Sequence, residues 1–255
     1  MRIVIKIGSS TLAHSTGRLN VRFVEQLCKI VSDIKNAGHE VIMVSSGAVG
    51  MGMGKLNLKE RPSDMPTKQA CAAIGQCELM YIYDKLFTGY NHVTAQILLT
   101  GADIEHSDRC RNLQNTFSRL LELGALPIIN ENDSVSTDEM LEIGDNDTLS
   151  AIVACLVRAD MLVILSDIDG LYNCDPRKNP NAEFVHEVHG VTGEIYKMAG
   201  GTGSALGTGG MATKLKAASI VNGSGIDMVI MNGKKPELLY DVIEGKPAGT
   251  KFVHS

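Results

Sequence analysis

Short apolar runs recur along the chain, and segments with helical spacing separate most of them. The runs are continuous rather than alternating, which is the pattern of parallel strands buried on both faces. They cover residues 2–7, 41–44, 93–98, 126–129, 161–165 and 227–231. Helical spacing is found at residues 20–35, 67–87, 108–123, 147–157 and 211–221. This alternation predicts an α/β fold, a three-layer αβα sandwich with a mostly parallel central sheet, in one domain over residues 1–255.

Composition and charge exclude several classes of function. Hydrophobic residues make up 44% and charged residues 21% of the 255 residues, as in ordinary soluble globular proteins. The net charge of −5 and the lack of Trp argue against a nucleic-acid partner. No apolar stretch approaches the ~18 residues of a spanning helix, so we expect no membrane partner. The six scattered cysteines are typical of free thiols in a reducing cytosol, and we expect a cytoplasmic protein.

Four predicted strands end in small or polar residues. These ends are Gly8-Ser9-Ser10, Ser46-Gly47-Ala48, Asn130 to Asp133, and Ser166-Asp167. The carboxyl ends of parallel strands lie at one edge of a sheet, which is where ligands bind in open α/β folds. One such loop could be an ordinary polar turn, but four at the same edge predict a ligand site.

The glycine-rich stretch 200–210 precedes a predicted helix that carries Lys214 in its first turn. Backbone N–H groups and the positive end of a helix form an anion site, so this segment predicts phosphate binding. Without an anion, a lysine there would cost roughly 0.3–1 kcal/mol. The alternative is a flexible glycine loop before an ordinary helix. The stretch is not a Walker A motif, and no G-x-G-x-x-G follows the first strand, which disfavours a nicotinamide oxidoreductase.

Two further features suggest a charged site. Lys6 lies in the apolar run Ile3–Ile7, where it could reach a cleft at the strand end or discourage aggregation on an edge strand. Asp145 and Asp147 enter a predicted helix, and either could cap it. A carboxylate at this place could instead lie between two lysines and keep them protonated.

A series of motifs resembles the amino acid kinase superfamily and, within it, the glutamate 5-kinase (γ-glutamyl kinase) branch. The resemblance covers essentially the whole chain, in the order of the family. The motifs are KIGSS (6–10), VSSGAVGMG (44–52), INENDSV (129–135), GDNDTLSA (144–151), LSDIDGLY (165–172) with DPR (175–177), and GTGGMATKLKAA (207–218). Many members continue into a C-terminal PUA module, whereas this chain stops at Ser255, which implies a short form without that module.

The resemblance implies phosphorylation of the side-chain carboxylate of L-glutamate by ATP, the first step of proline biosynthesis. Mg²⁺ is expected to bridge the ATP phosphates, mainly through phosphate and water, so no protein ligand for a metal is expected. The acceptor carboxylate is already ionised, so no general base is needed, and catalysis is mainly positioning and electrostatic stabilisation. The alternatives are a sister kinase (acetylglutamate kinase, aspartokinase or uridylate kinase) and a non-catalytic nucleotide or amino-acid sensor.

The resemblance also assigns roles to residues of this chain. It implies that Lys6 contacts the transferred phosphoryl group, that Lys214 contacts the nucleotide phosphates, and that Asp147 orients both lysines; these three are the expected catalytic residues. The implied substrate-binding residues are Ser46, Gly47, Asp133 and Asn146. The implied ATP-binding residues are Lys6, Gly8, Ser166, Asp167, Thr208, Gly209, Gly210, Met211, Ala212, Thr213 and Lys214.

Expectations about partners follow from the same resemblance. They are feedback inhibition by proline, coupling to glutamyl phosphate reductase, and assembly as a homo-oligomer, either a dimer or a tetramer.

Overall fold

The computed structural model describes residues 1–14, 16, 18–135, 145–176, 178–198 and 210–254. The strands are β1 (Arg2–Ile7), β2 (Glu40–Ser45), β3 (Thr94–Leu99), β4 (Leu126–Glu131), β5 (Met161–Ser166), β6 (Leu171–Tyr172), β7 (Phe184–Val185), β8 (Glu187–His189), β9 (Asp227–Asn232) and β10 (Thr250–Val253). The helices are α1 (Ser9–Leu12), α2 (Val21–Asn36), α3 (Ala48–Leu56), α4 (Met65–Thr88), α5 (Gly101–Glu105), α6 (Ser107–Glu122), α7 (Asn146–Leu156), α8 (Gly193–Met198), α9 (Met211–Asn222) and α10 (Leu238–Ile243).

Within the described ranges, eight strands form the central sheet, in the order β3-β4-β2-β1-β5-β9-β10-β8. The first six strands of this order are parallel to one another. Strand β10 runs antiparallel to β9, and β8 is parallel to β10. Strands β6 and β7 form a separate antiparallel pair. The prediction of a mostly parallel sheet is therefore confirmed.

Helices cover both faces of this sheet because its central strands bury both faces. In β1, Ile3 and Ile5 belong to one core cluster and Val4 belongs to the other. The first cluster contains apolar side chains of α2, α4 and α10, and the second contains those of α6, α7 and α9. The two cores make the fold the predicted three-layer αβα sandwich.

Helix α3 is an element that the sequence analysis did not predict. It contains Gly50, Gly52 and Gly54, which are poor helix formers. The glycines allow a close approach to α4: a Cβ at Gly52 would lie 1.9 Å from the backbone oxygen of Cys71. Helix–helix contact thus stabilises a segment that has little helical propensity of its own.

In the part of the chain that the structure describes, no helix has the length and apolar character needed to cross a membrane.

Candidate active site

A cleft of about 590 Å³ lies at the carboxyl edge of the sheet. It is bordered by the ends of β1, β2, β4 and β5, which run in parallel. All four strand ends that the sequence analysis singled out contribute to its lining. The contributing residues are Gly8, Ser9, Ser10, Ser46, Gly47, Ala48, Asn130, Glu131, Asp133, Ser166 and Asp167. The predicted ligand edge is thus a single continuous cleft.

Two lysines meet one aspartate in this cleft. Lys6 Nζ lies 2.5 Å from Asp147 Oδ1, and Lys214 Nζ lies 3.1 Å from Asp147 Oδ2. Strand β1, helix α9 and the first turn of α7 supply the three residues. The lysine side chains are 8% and 5% exposed, and that of Asp147 is fully buried. Two ammonium groups against one carboxylate leave a net positive charge, which suits an anionic ligand.

The carboxylate of Asp147 is held in its ionised form. Burial by itself raises the pKa of Asp147, but the charges of Lys6 and Lys214 and a hydrogen bond from Thr213 outweigh it, so the pKa lies below its usual value. The Thr213 hydroxyl lies 2.7 Å from Asp147 Oδ2. The group that separates the two lysines therefore remains charged at neutral pH.

The structure decides between two pairs of alternatives left open by the sequence. Asp145 is the N-cap of α7, because its carboxylate accepts from the Thr148 amide at 2.8 Å and from the Thr148 hydroxyl at 2.9 Å. The interpretation of Asp147 as the helix cap is therefore wrong. Strand β1 lies between β2 and β5 in the sheet, so the interpretation of Lys6 as an edge-strand lysine is also wrong.

Ser46, Gly47, Asp133 and Asn146 line one side of the cleft. Asn146 Nδ2 donates to Ser46 Oγ at 2.7 Å and to Asn130 Oδ1 at 3.0 Å. Gly47 adopts φ 100° as the N-cap of α3, a conformation that favours glycine. The first backbone N–H groups of α3 have no acceptor within the helix and begin at this side of the cleft. Hydroxyl and backbone donors thus converge on one small volume.

Asp133 has an unusual titration. Burial and the nearby charge of Glu131 raise the pKa of Asp133 to about 6. A cationic partner would stabilise the ionised form of this buried carboxylate. An amino-acid ammonium group is a suitable partner for it.

The other side of the cleft contains Gly8, Ser166 and Asp167. A Cβ at Gly8 would lie 3.7 Å from Lys6 Nζ, so the Gly8 backbone is close to that ammonium group. The Ser166 hydroxyl donates to Asp167 Oδ1 at 3.2 Å.

Helix α9 begins next to this side of the cleft. Gly210 is its N-cap, and Met211, Ala212, Thr213 and Lys214 follow in its first turn. Among these described residues, Lys214 lines the cleft and Thr213 reaches Asp147, whereas Gly210, Met211 and Ala212 are not part of the lining. Thr208 and Gly209 lie outside the described residues, as does the glycine-rich stretch up to residue 209.

The cleft includes residues to which the sequence analysis assigned no individual role. Asn130 and Glu131 end β4, and their place in the polar run 130–133 was a usable signal. Asn130 is only 2% exposed and bonds to Asn146. Arg61, in the connection between α3 and α4, also lines the cleft. No sequence signal marked Arg61, because its location depends on how α3 and α4 pack.

The amino-acid sequence is similar to a known protein family and to named relatives in it. The family model described as "Amino acid kinase family" matches residues 1–232. The chain is 52% identical to glutamate 5-kinase of Clostridium perfringens (strain 13 / Type A), over 99% of this chain and 95% of that protein. It is 48% identical to glutamate 5-kinase of Listeria innocua serovar 6a, over 98% of this chain and 92% of that protein.

Solved structures share the fold at lower sequence identity. A carbamate kinase from Giardia lamblia bound to AMP-PNP matches with a TM-score of 0.68 at 19% identity, covering 100% of this chain and 98% of that chain. A UMP kinase from Bacillus anthracis matches with a TM-score of 0.67 at 15% identity, covering 100% and 96%. These likenesses concern the arrangement of strands and helices.

Proposed function

The chain belongs to the amino acid kinase family, and on that premise we propose that it transfers the γ-phosphoryl group of ATP to the side-chain carboxylate of L-glutamate. The products are ADP and L-glutamyl 5-phosphate, and the reaction is the first step of proline biosynthesis. Relatives named glutamate 5-kinase, identical at about half of all positions over nearly the full chain, support this choice of substrates. The observation that carries the proposal is the buried arrangement Lys6–Asp147–Lys214.

The two lysines supply the charge that phosphoryl transfer needs. Negative charge in the transition state spreads over the transferred group and its flanking oxygens, so fixed cations stabilise it. Lys6 comes from the central strand β1, between the two sides of the cleft, and is assigned to the transferred group. Lys214 comes from α9 and is assigned to the phosphates of ATP. Asp147 fixes both ammonium groups before the substrates bind, which lowers the cost of reorganisation.

The acceptor occupies the side that contains Ser46, Gly47, Asp133 and Asn146. The Ser46 hydroxyl and the N–H groups at the start of α3 suit carboxylate oxygens, and the Asp133 carboxylate suits the α-ammonium group. Glutamate's γ-carboxylate is ionised at neutral pH, so it attacks without losing a proton to the protein. The residues of this side therefore bind and orient the acceptor rather than move protons.

The nucleotide occupies the opposite side. Gly8, Ser166 and Asp167 are assigned to ATP, together with Thr208, Gly209, Gly210, Met211, Ala212, Thr213 and Lys214. Mg²⁺, when bound with ATP, neutralises phosphate charge. Both carboxylate oxygens of Asp147 are already engaged by lysines and Thr213, which fits an ion held mainly by phosphate and water.

An ADP-release assay with a panel of acceptors tests this function. We expect turnover with L-glutamate and little with N-acetylglutamate, aspartate or UMP. Hydroxylamine should trap the acyl phosphate product as a hydroxamate, which distinguishes carboxylate phosphorylation from ATP hydrolysis. Turnover of another acceptor in preference to glutamate would identify a sister kinase, and ATP binding without any turnover would identify a sensor.

The finer expectations about partners stay proposals that the family resemblance supports. They are feedback inhibition by proline, coupling to glutamyl phosphate reductase, a homo-oligomeric state and a cytoplasmic location. The same assay repeated with added proline tests the first of them, since an inhibitor would lower ADP release at constant glutamate.

A further inference from the structure

Three amide side chains form a line from helix α4 to the acceptor side of the cleft. Gln76 Oε1 accepts from Asn130 Nδ2 at 3.0 Å, and Asn130 Oδ1 accepts from Asn146 Nδ2 at 3.0 Å. Asn146 Nδ2 also donates to Ser46 Oγ at 2.7 Å. The line connects half-buried Gln76, which does not line the cleft, with two side chains assigned to glutamate.

Backbone groups identify the direction of every hydrogen bond in this line. The Glu131 backbone N–H donates to Asn130 Oδ1 at 2.9 Å, and an N–H group can only donate. Asn130 must therefore turn its carbonyl toward Asn146 and its NH₂ group toward Gln76. At the other end, the Ser45 carbonyl lies 3.5 Å from Asn146 Nδ2, and a carbonyl can only accept.

This direction decides what the cleft offers to a substrate. The Ser46 hydroxyl accepts from Asn146, so its own hydrogen is available for a carboxylate oxygen. Asn146 Oδ1 has no hydrogen-bond partner among the described residues, and it can accept from an ammonium group. A reversed Asn146 amide would take the Ser46 hydrogen and present NH₂ to the substrate.

Gln76 supplies the hydrogen-bond acceptor for the Asn130 NH₂ group, at the end of the line farthest from the cleft. Asn130 is 2% exposed, so without Gln76 its NH₂ group would be buried and unpaired, which is costly. Helix α4 is held at a fixed distance, because a Cβ at Gly75 would lie 1.8 Å from the Ala48 backbone oxygen. The Gln76 side chain therefore starts from a backbone that packs directly on the first turn of α3.

We propose that Gln76 is a positioning residue for the acceptor substrate, acting through the orientation of the Asn130 and Asn146 amides. The inference rests on the proposed function, because it takes the acceptor to be an amino acid with a free ammonium group and carboxylates. Gln76 lies outside the lining of the cleft, so its proposed effect on the substrate passes through the two asparagines.

The test replaces Gln76 with leucine, which is similar in size but has no side-chain atom that can accept a hydrogen bond. Gln76→Leu is expected to raise the KM for glutamate by about tenfold, the scale of one lost buried hydrogen bond. The KM for ATP should change by less than about twofold. Gln114→Leu, at an exposed position of helix α6, is the matched control and should leave both constants unchanged.

A double-mutant cycle separates positioning from a general structural effect. In the Asn146→Ala background, Gln76→Leu should have little further effect on the KM for glutamate, because its route to the substrate is already removed. Equal effects of Gln76→Leu in both backgrounds, a parallel rise in both KM values, or an unchanged KM for glutamate would each overturn the proposal.

A readout without substrate keeps this test separate from the test of the proposed function. In the parent protein, the side-chain NH₂ signals of Asn130 and Asn146 should show slow hydrogen exchange by NMR. Gln76→Leu should accelerate exchange at both residues, even if another amino acid proves to be the acceptor. Unchanged hydrogen exchange at Asn130 and Asn146 would overturn the role of Gln76. The ADP-release assay with the panel of acceptor substrates would still test the proposed function independently.

Discussion

Asp147 Oδ1 lies 2.5 Å from Lys6 Nζ, with the two side chains 0% and 8% exposed. A buried pair of this kind gains little net stability, since desolvation of both charges opposes their attraction. The ion pair instead holds the Lys6 ammonium group at the centre of the cleft in a fixed direction. Because Lys214 shares the same carboxylate, the pair is one half of a single charged unit.

Replacement of Asp147 by asparagine should separate this role from helix capping. Asp147→Asn keeps the shape of the side chain but removes the charge between two buried ammonium groups. We expect kcat to fall by about 100-fold or more, because small misplacements of catalytic groups have effects of this size. The melting temperature should also fall, since two buried cations are left without a counter-charge. Steady-state kinetics and thermal unfolding measure both.

Asp145→Asn is the matched control for that variant. Asp145 is the residue that caps α7, and asparagine caps about as well as aspartate. Its stability should change by less than ~0.5 kcal/mol and its kcat by less than about threefold. If Asp147→Asn behaved like this control, Asp147 would not organise the lysines.

The stability contributed by Asp147 should depend on pH in a defined direction. Its pKa is lower in the folded protein than its ordinary value of 3.8. Folding therefore gains stability above about pH 4, and the gain is lost as pH falls through the lowered value. Urea unfolding between about pH 3 and 6 should show a smaller loss on acidification in Asp147→Asn than in the parent. Parallel curves for the two proteins would contradict the charged pairing.

Each lysine should be essential for turnover. Lys6→Met and Lys214→Met keep most of the apolar side chain and remove the charge that faces the phosphoryl group. Loss of one such donor is expected to lower kcat by about 100-fold or more. Lys29→Met, at an exposed position of α2, controls for the general effect of the substitution. Near-parental kcat in either site variant at saturating ATP and glutamate would remove that lysine from the mechanism.

The fold could be predicted from sequence largely because its central strands are buried on both faces. Runs such as Met161–Leu165 have no polar residue, and such short apolar runs between helical segments are typical of strands inside a parallel sheet. Helix α3 was missed because its glycines lower helical propensity, while the contact that stabilises it comes from α4. The short strands β8 and β10 at the far edge of the sheet were missed as well, since few residues carry each signal.

The ends of parallel strands predicted one part of the site, and the family resemblance supplied the roles of Lys6, Lys214 and Asp147. Ser46 and Asp133 follow parallel strands, so their meeting at one edge follows from topology. The capping pattern alone could not separate Asp145 from Asp147, since both occur at the start of the same helix. The family resemblance assigned Asp147 to the lysines, and side-chain geometry shows that Asp145 is the cap. Gln76 lies in the middle of a long helix, and its contact with Asn130 depends on how that helix packs.

Binding of glutamate should weaken in acid because of Asp133. Burial and the charge of Glu131 raise the pKa of Asp133 to about 6. Below that pH the carboxyl group is neutral and no longer attracts an ammonium group. The kcat/KM for glutamate should therefore fall by up to about tenfold per pH unit below ~6 and level off above it. Asp133→Asn should have a low and nearly pH-independent kcat/KM over this range.

The same residue should limit stability at higher pH. A pKa that is raised on folding means that the folded state binds the proton more tightly, so stability declines as pH rises between the ordinary value of 3.8 and about 6. Asp133→Asn should consequently unfold at a higher temperature than the parent at about pH 8, while its KM for glutamate is higher. A lower melting temperature at that pH would indicate that the ionised Asp133 has a stabilising partner in the protein.

The contact between helices α3 and α4 should tolerate no added atom at Gly75. A Cβ there would lie 1.8 Å from the Ala48 backbone oxygen and 2.5 Å from the Gly52 backbone nitrogen. Neither atom can move without shifting a helix. Gly75→Ala should therefore lower the free energy of unfolding by about 1–3 kcal/mol. Gly50→Ala is the matched control, because its Cβ would have no neighbour within 4 Å and alanine favours a helix. That control should gain roughly 0.5–1 kcal/mol. Equal stability of the two variants in urea unfolding would contradict the close packing that holds α4, and Gln76 with it, against the acceptor side of the cleft.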